Sequence, residues 1–444
     1  MAKKVSTEKA QKATFTELND ALSKISDGSI IEDSVYAKID EWIPTGSYIL
    51  NAAMSGSLFG GMPNRRSLMF AGQEGTGKTY LACSIVRNAQ AMDYFPIYYD
   101  SEGSIDIDFI RRLGIDTNKF RIENVSTVEE FATLAAKLNE IIENLRKEGK
   151  TPPKIMVVLD SLGNLSSIKE KADTTSGDNK RDMTKQQAIR RTFRVLGNDF
   201  AKNGIPFIIC NHVYAKIGSY IPGDEVSGGG GTKYSTSIIF VLTKSKMTDK
   251  DSEEHVKKHG IEATKVGIVV TIHPYKQRFA RPIKVQIHIP FYKKPNPYVG
   301  LEKFVNWETC GIVRGNMLTP KEYSKLSEAD QKKCYHFTVL PDNVGKDIKD
   351  IDTEIKEYYV QPKDTARQLV CKHLGGEVPL SDLYTDKVFT EEVLHQLDDN
   401  IIKKTFMLPN IESLEDLVEV TELMNETSTD FPDIDIENLD LATD

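Results

Sequence analysis

Residues 72–79 read Gly-Gln-Glu-Gly-Thr-Gly-Lys-Thr, an octet with the residue types and spacing of a phosphate cradle. Gly72, Gly75 and Gly77 let the backbone turn tightly and aim N–H groups at an anion. Gln73, Glu74 and Thr76 complete the loop between them. Lys78 can reach the β- and γ-phosphates of ATP, and the Thr79 hydroxyl can ligate Mg²⁺. Tyr80 continues into a helical pattern whose positive end faces the same anion. A second part of such a site is Lys154–Asp160, an apolar run ending in a carboxylate. Asp160 there suits the coordination shell of Mg²⁺ beside Thr79. A third is Tyr98-Tyr99-Asp100-Ser101-Glu102. Hydrolysis of a γ-phosphate needs a group that orients water, and Glu102 is the candidate, with a solvated loop acid as the competing reading. Asn211-His212 closes another apolar run. His212 is a candidate sensor of the γ-phosphate, although a lone histidine is by spacing alone more often structural.

The elements that must position these residues alternate. Strand-like runs lie at Ser67–Ala71, Pro96–Asp100, Ile155–Asp160, Ile205–Asn211 and Ser237–Leu242. Helical patterns lie at Tyr80–Gln90, Asp106–Leu113, Val128–Lys147 and Met183–Lys202. Such alternation predicts an α/β fold with a mostly parallel sheet covered on both faces, its ligand at the carboxyl ends of the strands. Residues 267–272 and 283–289 read as a β-hairpin that extends the sheet. Phe15, Leu18, Leu22 and Ile25 suit a helix over Phe15–Ile31, and Ile43–Met54 reads as a strand entering a helix, followed by the turn Leu58–Gly61. Residues 301–410 read as mixed and mostly helical, without recognisable chemistry.

Two basic or glycine-rich loops flank the strand ends. Residues 163–185 carry Lys180, Arg181 and Lys185. Residues 213–232 carry Tyr214, Lys216, the run Gly228, Gly229, Gly230, Gly231, and Thr232. Four successive glycines predict a mobile loop that can approach a ligand closely. Together the loops suit a nucleic-acid backbone, and a pair of solvated loops is the alternative.

The bulk composition narrows the class. The chain has 444 residues, 39% hydrophobic and 27% charged, as for a soluble globular protein of two or three domains. It shows no membrane-length apolar stretch and no signal-peptide pattern, so no membrane partner is expected. Five scattered cysteines predict a reducing, cytoplasmic setting. Net charge is −8, which does not advertise nucleic-acid binding, but residues 411–444 hold twelve acids and no Lys or Arg. Removing those twelve turns −8 into +4 for the rest of the chain. The stretch Thr427–Asp444 reads as disordered, either a solubilising tail or an autoinhibitory or partner-binding one that competes with DNA phosphates.

The order of motifs resembles the RecA-type homologous recombinases, most of all the bacteriophage UvsX branch. The likeness is carried by Ser55–Gly61, the glycine loop, Tyr99–Glu102, Asp160–Leu165, Asn211-His212 and the Gly-Gly-Gly-Gly-Thr run, over roughly residues 40–300. It implies a RecA-like ATPase core over 41–300, an N-terminal protomer-contact segment over 1–40, a smaller C-terminal domain over 301–426 and an acidic tail over 427–444. The implied activity is ATP-dependent assembly of helical filaments on single-stranded DNA, with pairing and strand exchange against homologous duplex. Single-strand-binding and mediator proteins are further implied partners. By resemblance Glu102 is the catalytic glutamate, Asp106 and Phe109 meet adenine, and His212 senses the γ-phosphate. Lys276 and Arg278 take the positions that reach a neighbouring protomer's ATP; without the resemblance they would read as a solvated hairpin edge. Tyr234 lies where an aromatic joins the protomer contact, and loops 163–185 and 213–232 take the positions of the DNA-binding loops. Asp173–Asn179 departs from the pattern as an insertion.

Two rivals remain at this stage. A hexameric replicative helicase would share the glycine loop and strand order. A non-catalytic ATP-binding regulator would share the fold, but Lys78, Thr79, Glu102 and Asp160 are all present.

Overall fold

In a computed structural model, residues 14–409 are described, apart from 27, 29, 32–33, 35–36, 104, 177–183, 216–223, 227–228, 248–265, 292 and 340–354. The acidic tail and the first thirteen residues lie outside the described residues.

The apolar runs build one eight-stranded sheet. Its strands are β3 (Ser67–Gly72), β4 (Tyr94–Asp100), β5 (Arg121–Asn124), β6 (Lys154–Asp160), β7 (Phe207–Asn211), β10 (Ile238–Lys246), β11 (Gly267–Lys276) and β12 (Val285–Pro290), in the spatial order β12-β11-β10-β3-β7-β6-β4-β5. Strands β10, β3, β7, β6, β4 and β5 run parallel. Strands β11 and β12 form the expected antiparallel hairpin on one edge. Two short ribbons lie outside this sheet: β1 (Trp42–Ile43) pairs with β2 (Met62–Pro63), and β8 (Val213–Ala215) with β9 (Asp224–Val226).

Both faces of the parallel strands are buried, so their sequences read as unbroken apolar runs. Leu68 and Phe70 of β3 face one core with Met156 and Val158 of β6, while Met69, Ala71, Val157 and Leu159 face the other. The first core is covered by α2 (Tyr48–Ser55) and α3 (Lys78–Gln90) through Leu50, Leu81 and Ile85. The second is covered by α5 (Val128–Lys147) and α7 (Thr184–Asn203) through Phe131, Phe193 and Phe200. Helix α5 has the bounds its periodicity predicts, capped by Thr127 and with acids in its first turn and bases in its last.

Three expectations need correction. Helix α1 spans only Phe15–Ser23, not Phe15–Ile31. It opens with a Thr14–Glu17 capping box and ends where the Ser23 and Ser26 hydroxyls bond back to Asn19 and Leu22 carbonyls. None of its residues is buried, and its apolar stripe Phe15, Leu18 and Leu22 stands open, with Phe15 at 72% exposure.

The second correction is to residues 301–410, which are not mostly helical. They hold a five-stranded antiparallel sheet in the order β14-β15-β13-β16-β17, from β13 (Ile312–Leu318), β14 (Tyr335–Val339), β15 (Lys356–Pro362), β16 (Gln368–Cys371) and β17 (Gly376–Pro379). Short helices then return to the main core, where Val393, Leu397 and Phe406 are buried. Asp398 secures that return. Its carboxylate accepts from Ser57 Oγ at 2.8 Å and from the Leu58 amide at 2.7 Å, in the glycine-rich turn after α2.

The third concerns the glycine run. Gly229–Gly231 open helix α8 (Gly229–Ser235) rather than a mobile loop. A Cβ on Gly231 would lie 2.8 Å from Arg190 Cβ and 2.9 Å from its Cα, so α8 and α7 touch through this glycine. The inserted stretch of the first loop is partly helical too, since α6 covers Ile168–Ser176.

Candidate functional site

The glycine loop connects β3 to α3, and its glycines are required one by one. Gly75 and Gly77 have φ of 68° and 88°, in the left-handed region that side chains resist. A Cβ on Gly72 would stand 2.7 Å from Thr76 Oγ1 and 2.8 Å from the Leu242 carbonyl. The loop delivers Lys78 as the first residue of α3, with the helix N-terminus facing the cleft. Lys78 Nζ donates to the Gly72 and Gln73 carbonyls, each at 2.9 Å. Burial draws the ammonium below the ordinary lysine range, against the pull of Asp160, Glu102 and Glu74. Thr76 is buried, its hydroxyl on the Gln73 carbonyl at 2.8 Å. Lys244, which sequence reasoning passed over, donates to the Glu74 carbonyl at 2.6 Å. The signal was in the register, since Leu242 pairs with Gly72.

Asp160 ends β6 beside α3. Its Oδ2 accepts from Thr79 Oγ1 at 2.6 Å and from Tyr98 OH at 2.5 Å. Burial pushes its carboxyl above the usual range, and the two hydroxyls hold it back. A neutralising cation suits this buried carboxylate. One hydroxyl and one carboxylate are hard oxygen donors of the kind Mg²⁺ takes beside phosphates and waters. Among the described residues no three His, Cys, Asp or Glu side chains gather into a metal cage.

Glu102 and His212 come together at the ends of β4 and β7, with Ser161 of the intervening strand between them. His212 Nε2 lies 3.2 Å from Glu102 Oε1, and Ser161 Oγ donates to the same Oε1 at 2.5 Å. Asp100 shapes the turn that carries Glu102, accepting from the Glu102 and Gly103 amides at 2.9 and 2.8 Å. Asn211 Oδ1 accepts from the His212 amide at 2.9 Å. Ser161 was not foreseen, because its partners lie far away in sequence.

These groups share one cleft of 860 Å³ that also receives Glu74, Gly75, Gly77 and Tyr80. Phe109 forms part of the cleft wall, and Ile289, Pro290 and Phe291 at the end of the hairpin form another part, with Ile289 packed against the loop glycine Gly77. The hairpin wall was not anticipated; the strand pattern was legible but not the face it turns to the cleft. Gln73, Thr76 and Asp106 do not line the cleft. Asp106 instead caps α4 (Ile107–Arg112), accepting from the Phe109 amide at 3.2 Å, and so positions Phe109.

Lys276 and Arg278 lie elsewhere. Lys276 pairs with Ile239 near the start of β10, at the end of the sheet away from the phosphate loop. Its Nζ donates to the Lys233 and Tyr234 carbonyls at 2.7 and 3.0 Å, closing the carboxyl end of α8. Burial and the nearby Arg278 lower its pKa. Tyr234 beside it is 82% exposed.

The candidate DNA contacts divide. Lys185 Nζ donates to the Gly163 carbonyl at 3.3 Å. Tyr214 lies on the β8–β9 ribbon directly after His212. Gly229 and Gly230 begin α8, while Gly231 and Thr232 are buried against the body and serve packing here. Lys180, Arg181, Lys216 and Gly228 lie outside the described residues.

Comparison with known proteins agrees with this geometry. The RecA N-terminal domain family matches residues 10–291. The recombination and repair protein of Enterobacteria phage T4 is 28% identical over 240 residues, covering 53% of this chain and 59% of that protein. Protein RecA of Treponema denticola is 27% identical over 267 residues, 59% of this chain and 58% of its own length. Protein RecA of Thermus thermophilus is 28% identical over 288 residues, 61% and 76%. The chain thus spans somewhat under two thirds of the first two relatives. With the family match extending over well more than half of its length, the chain belongs to the RecA family.

Proposed function

We propose that this chain is a DNA-dependent ATPase that assembles into helical filaments on single-stranded DNA and promotes pairing and strand exchange with homologous duplex. The observation that carries the reading is the separation of two sets of groups. Lys78, Thr79, Glu102, Asp160 and His212 converge at the carboxyl ends of the strands, while Lys276 and Arg278 stand at the opposite end of the sheet. In this reading the cation pair, far from its own cleft, serves ATP in the next protomer, which makes turnover depend on polymerisation. The open apolar stripe of α1 supports the same reading, since it needs a partner surface.

Within the cleft, Lys78 and the loop amides hold the phosphates, and Thr79 and Asp160 would hold Mg²⁺, which offsets phosphate charge. Glu102 orients the attacking water. His212 is the group that meets the γ-phosphate, and Phe109 with the hairpin wall encloses the base. Arg278 from a neighbour adds positive charge where the transition state develops negative charge. DNA contacts fall to Lys180, Arg181 and Lys185 of the first loop and to Tyr214, Lys216 and Gly228–Gly230 of the second. Among the described residues no helix is long and apolar enough to cross a membrane.

The test is ATP hydrolysis with and without single-stranded DNA, with the same samples imaged by negative stain. Stimulated turnover on helical filaments supports the reading. Closed rings would favour a helicase, and turnover indifferent to DNA would contradict both.

A further inference from the structure

Ser161 links the two groups that would act at the γ-phosphate. It follows Asp160 at the end of β6 and is fully buried. Its hydroxyl donates to Glu102 Oε1 at 2.5 Å and lies 3.3 Å from His212 Nε2. A serine hydroxyl has one proton. With that proton on Glu102, the oxygen can only accept from the imidazole, so His212 carries its hydrogen on Nε2. The same nitrogen is 3.2 Å from Glu102 Oε1.

The frame around Ser161 is built to hold it. Its amide donates to Ser101 Oγ at 2.9 Å, and Ser101 Oγ donates to the Ser161 carbonyl at 2.7 Å. Gly163 bounds the adjoining Cδ2 edge of the ring, because a Cβ there would lie 2.6 Å from His212 Cδ2. The imidazole is therefore seated against a hydroxyl and a position where no side chain fits.

We infer that Ser161 is a positioning residue that couples Glu102 to His212. It fixes the Nε2–H tautomer of His212, so that the hydrogen resting on Glu102 in the nucleotide-free protein is the one turned to a γ-phosphate oxygen. When Nε2–H moves to that oxygen, Glu102 keeps the Ser161 hydrogen bond and gains a free lone pair for water. Gly163, at the root of the first loop, sets how far the ring can swing. This inference rests on the roles proposed above for Glu102 and His212.

The experiment is a double-mutant cycle on DNA-stimulated ATP turnover by the full chain, using Ser161→Ala, His212→Gln and their combination. Ser161→Ala should lower kcat roughly tenfold or more while KM for ATP moves by less than about twofold. It should shift the pH–rate profile of the wild-type chain and leave that of His212→Gln unmoved. In the His212→Gln background the serine substitution should cost little further, because its partner is already gone. Gly163→Ala, which presses the ring at its Cδ2 edge, should show the same dependence on His212 and covers the case in which Ser161→Ala does not fold. Wild-type turnover in Ser161→Ala, or losses that simply multiply in the combinations, would overturn the inference. A wild-type chain without DNA-stimulated turnover would instead overturn the functional reading on which it rests.

Discussion

Lys78 and Asp160 are both ionisable groups drawn into the protein, where burial disfavours the charged form of each. Lys78 rests on two backbone carbonyls that a phosphate can replace. Lys78→Ala should therefore reduce ATP turnover by about a hundredfold or more while the fold persists. Comparing turnover with the thermal midpoint checks this, and normal turnover would remove the phosphate site from this loop. Asp160 makes the opposite point about stability. Its folded pKa lies above the ordinary value, because burial disfavours the charge more than Thr79 and Tyr98 favour it. A raised pKa contributes stability that is full at low pH and is lost as pH rises through the folded value. At neutral pH the charged carboxylate is thus a cost. Asp160→Asn should melt at or above the wild-type temperature at pH 7, with the difference shrinking as pH falls through the raised folded value toward about 4, and should lose Mg²⁺-dependent turnover. A variant much less stable at pH 7 would mean that the carboxylate holds the site together unaided.

Elements were legible where burial on both sides made the sequence uniformly apolar. Strands β3, β4, β6 and β7 and helices α3, α5 and α7 were readable for that reason, and the motif residues were readable as the polar groups that end those strands. The edge strand β5 escaped because Arg121–Asn124 has one apolar residue, Ile122, and that residue is exposed. The C-terminal sheet escaped for a related reason. Stretches such as Lys356-Glu357-Tyr358-Tyr359 mix helix-favouring charges with aromatics, and pairing with Tyr335–Val339 on one side and β13 on the other makes them a strand. The glycine run misled because its need is tertiary: Gly231 is small to let α8 meet α7, a contact between distant segments. Gly231→Ala should accordingly destabilise the protein by about 1–3 kcal/mol, since the obstructing atoms include the Arg190 backbone. Chemical denaturation measures that, and an unchanged midpoint would return these glycines to the role of a free loop.

At the scale of the whole molecule the proposed function makes the site complete only between two chains. The cleft gathers the glycine loop, Glu102, Asp160 and the hairpin wall, while Lys276 lies at the other end of the sheet with Arg278 two residues beyond it. Arg278→Ala should lower DNA-stimulated hydrolysis, and so should Glu102→Ala, each on a different side of a protomer contact. Mixtures of the two proteins should recover part of the activity, because some contacts then join an intact Glu102 to an intact Arg278. Mixtures no more active than the sum of their parts would speak against a group supplied from a neighbour.

The most direct measurement is strand exchange itself: the full chain, ATP and Mg²⁺ with single-stranded DNA and a linear duplex, homologous or not. Joint molecules that require ATP, homology and an intact Arg278 are the predicted result. ATP turnover without joint molecules, on closed rings, would contradict the assignment of a recombinase.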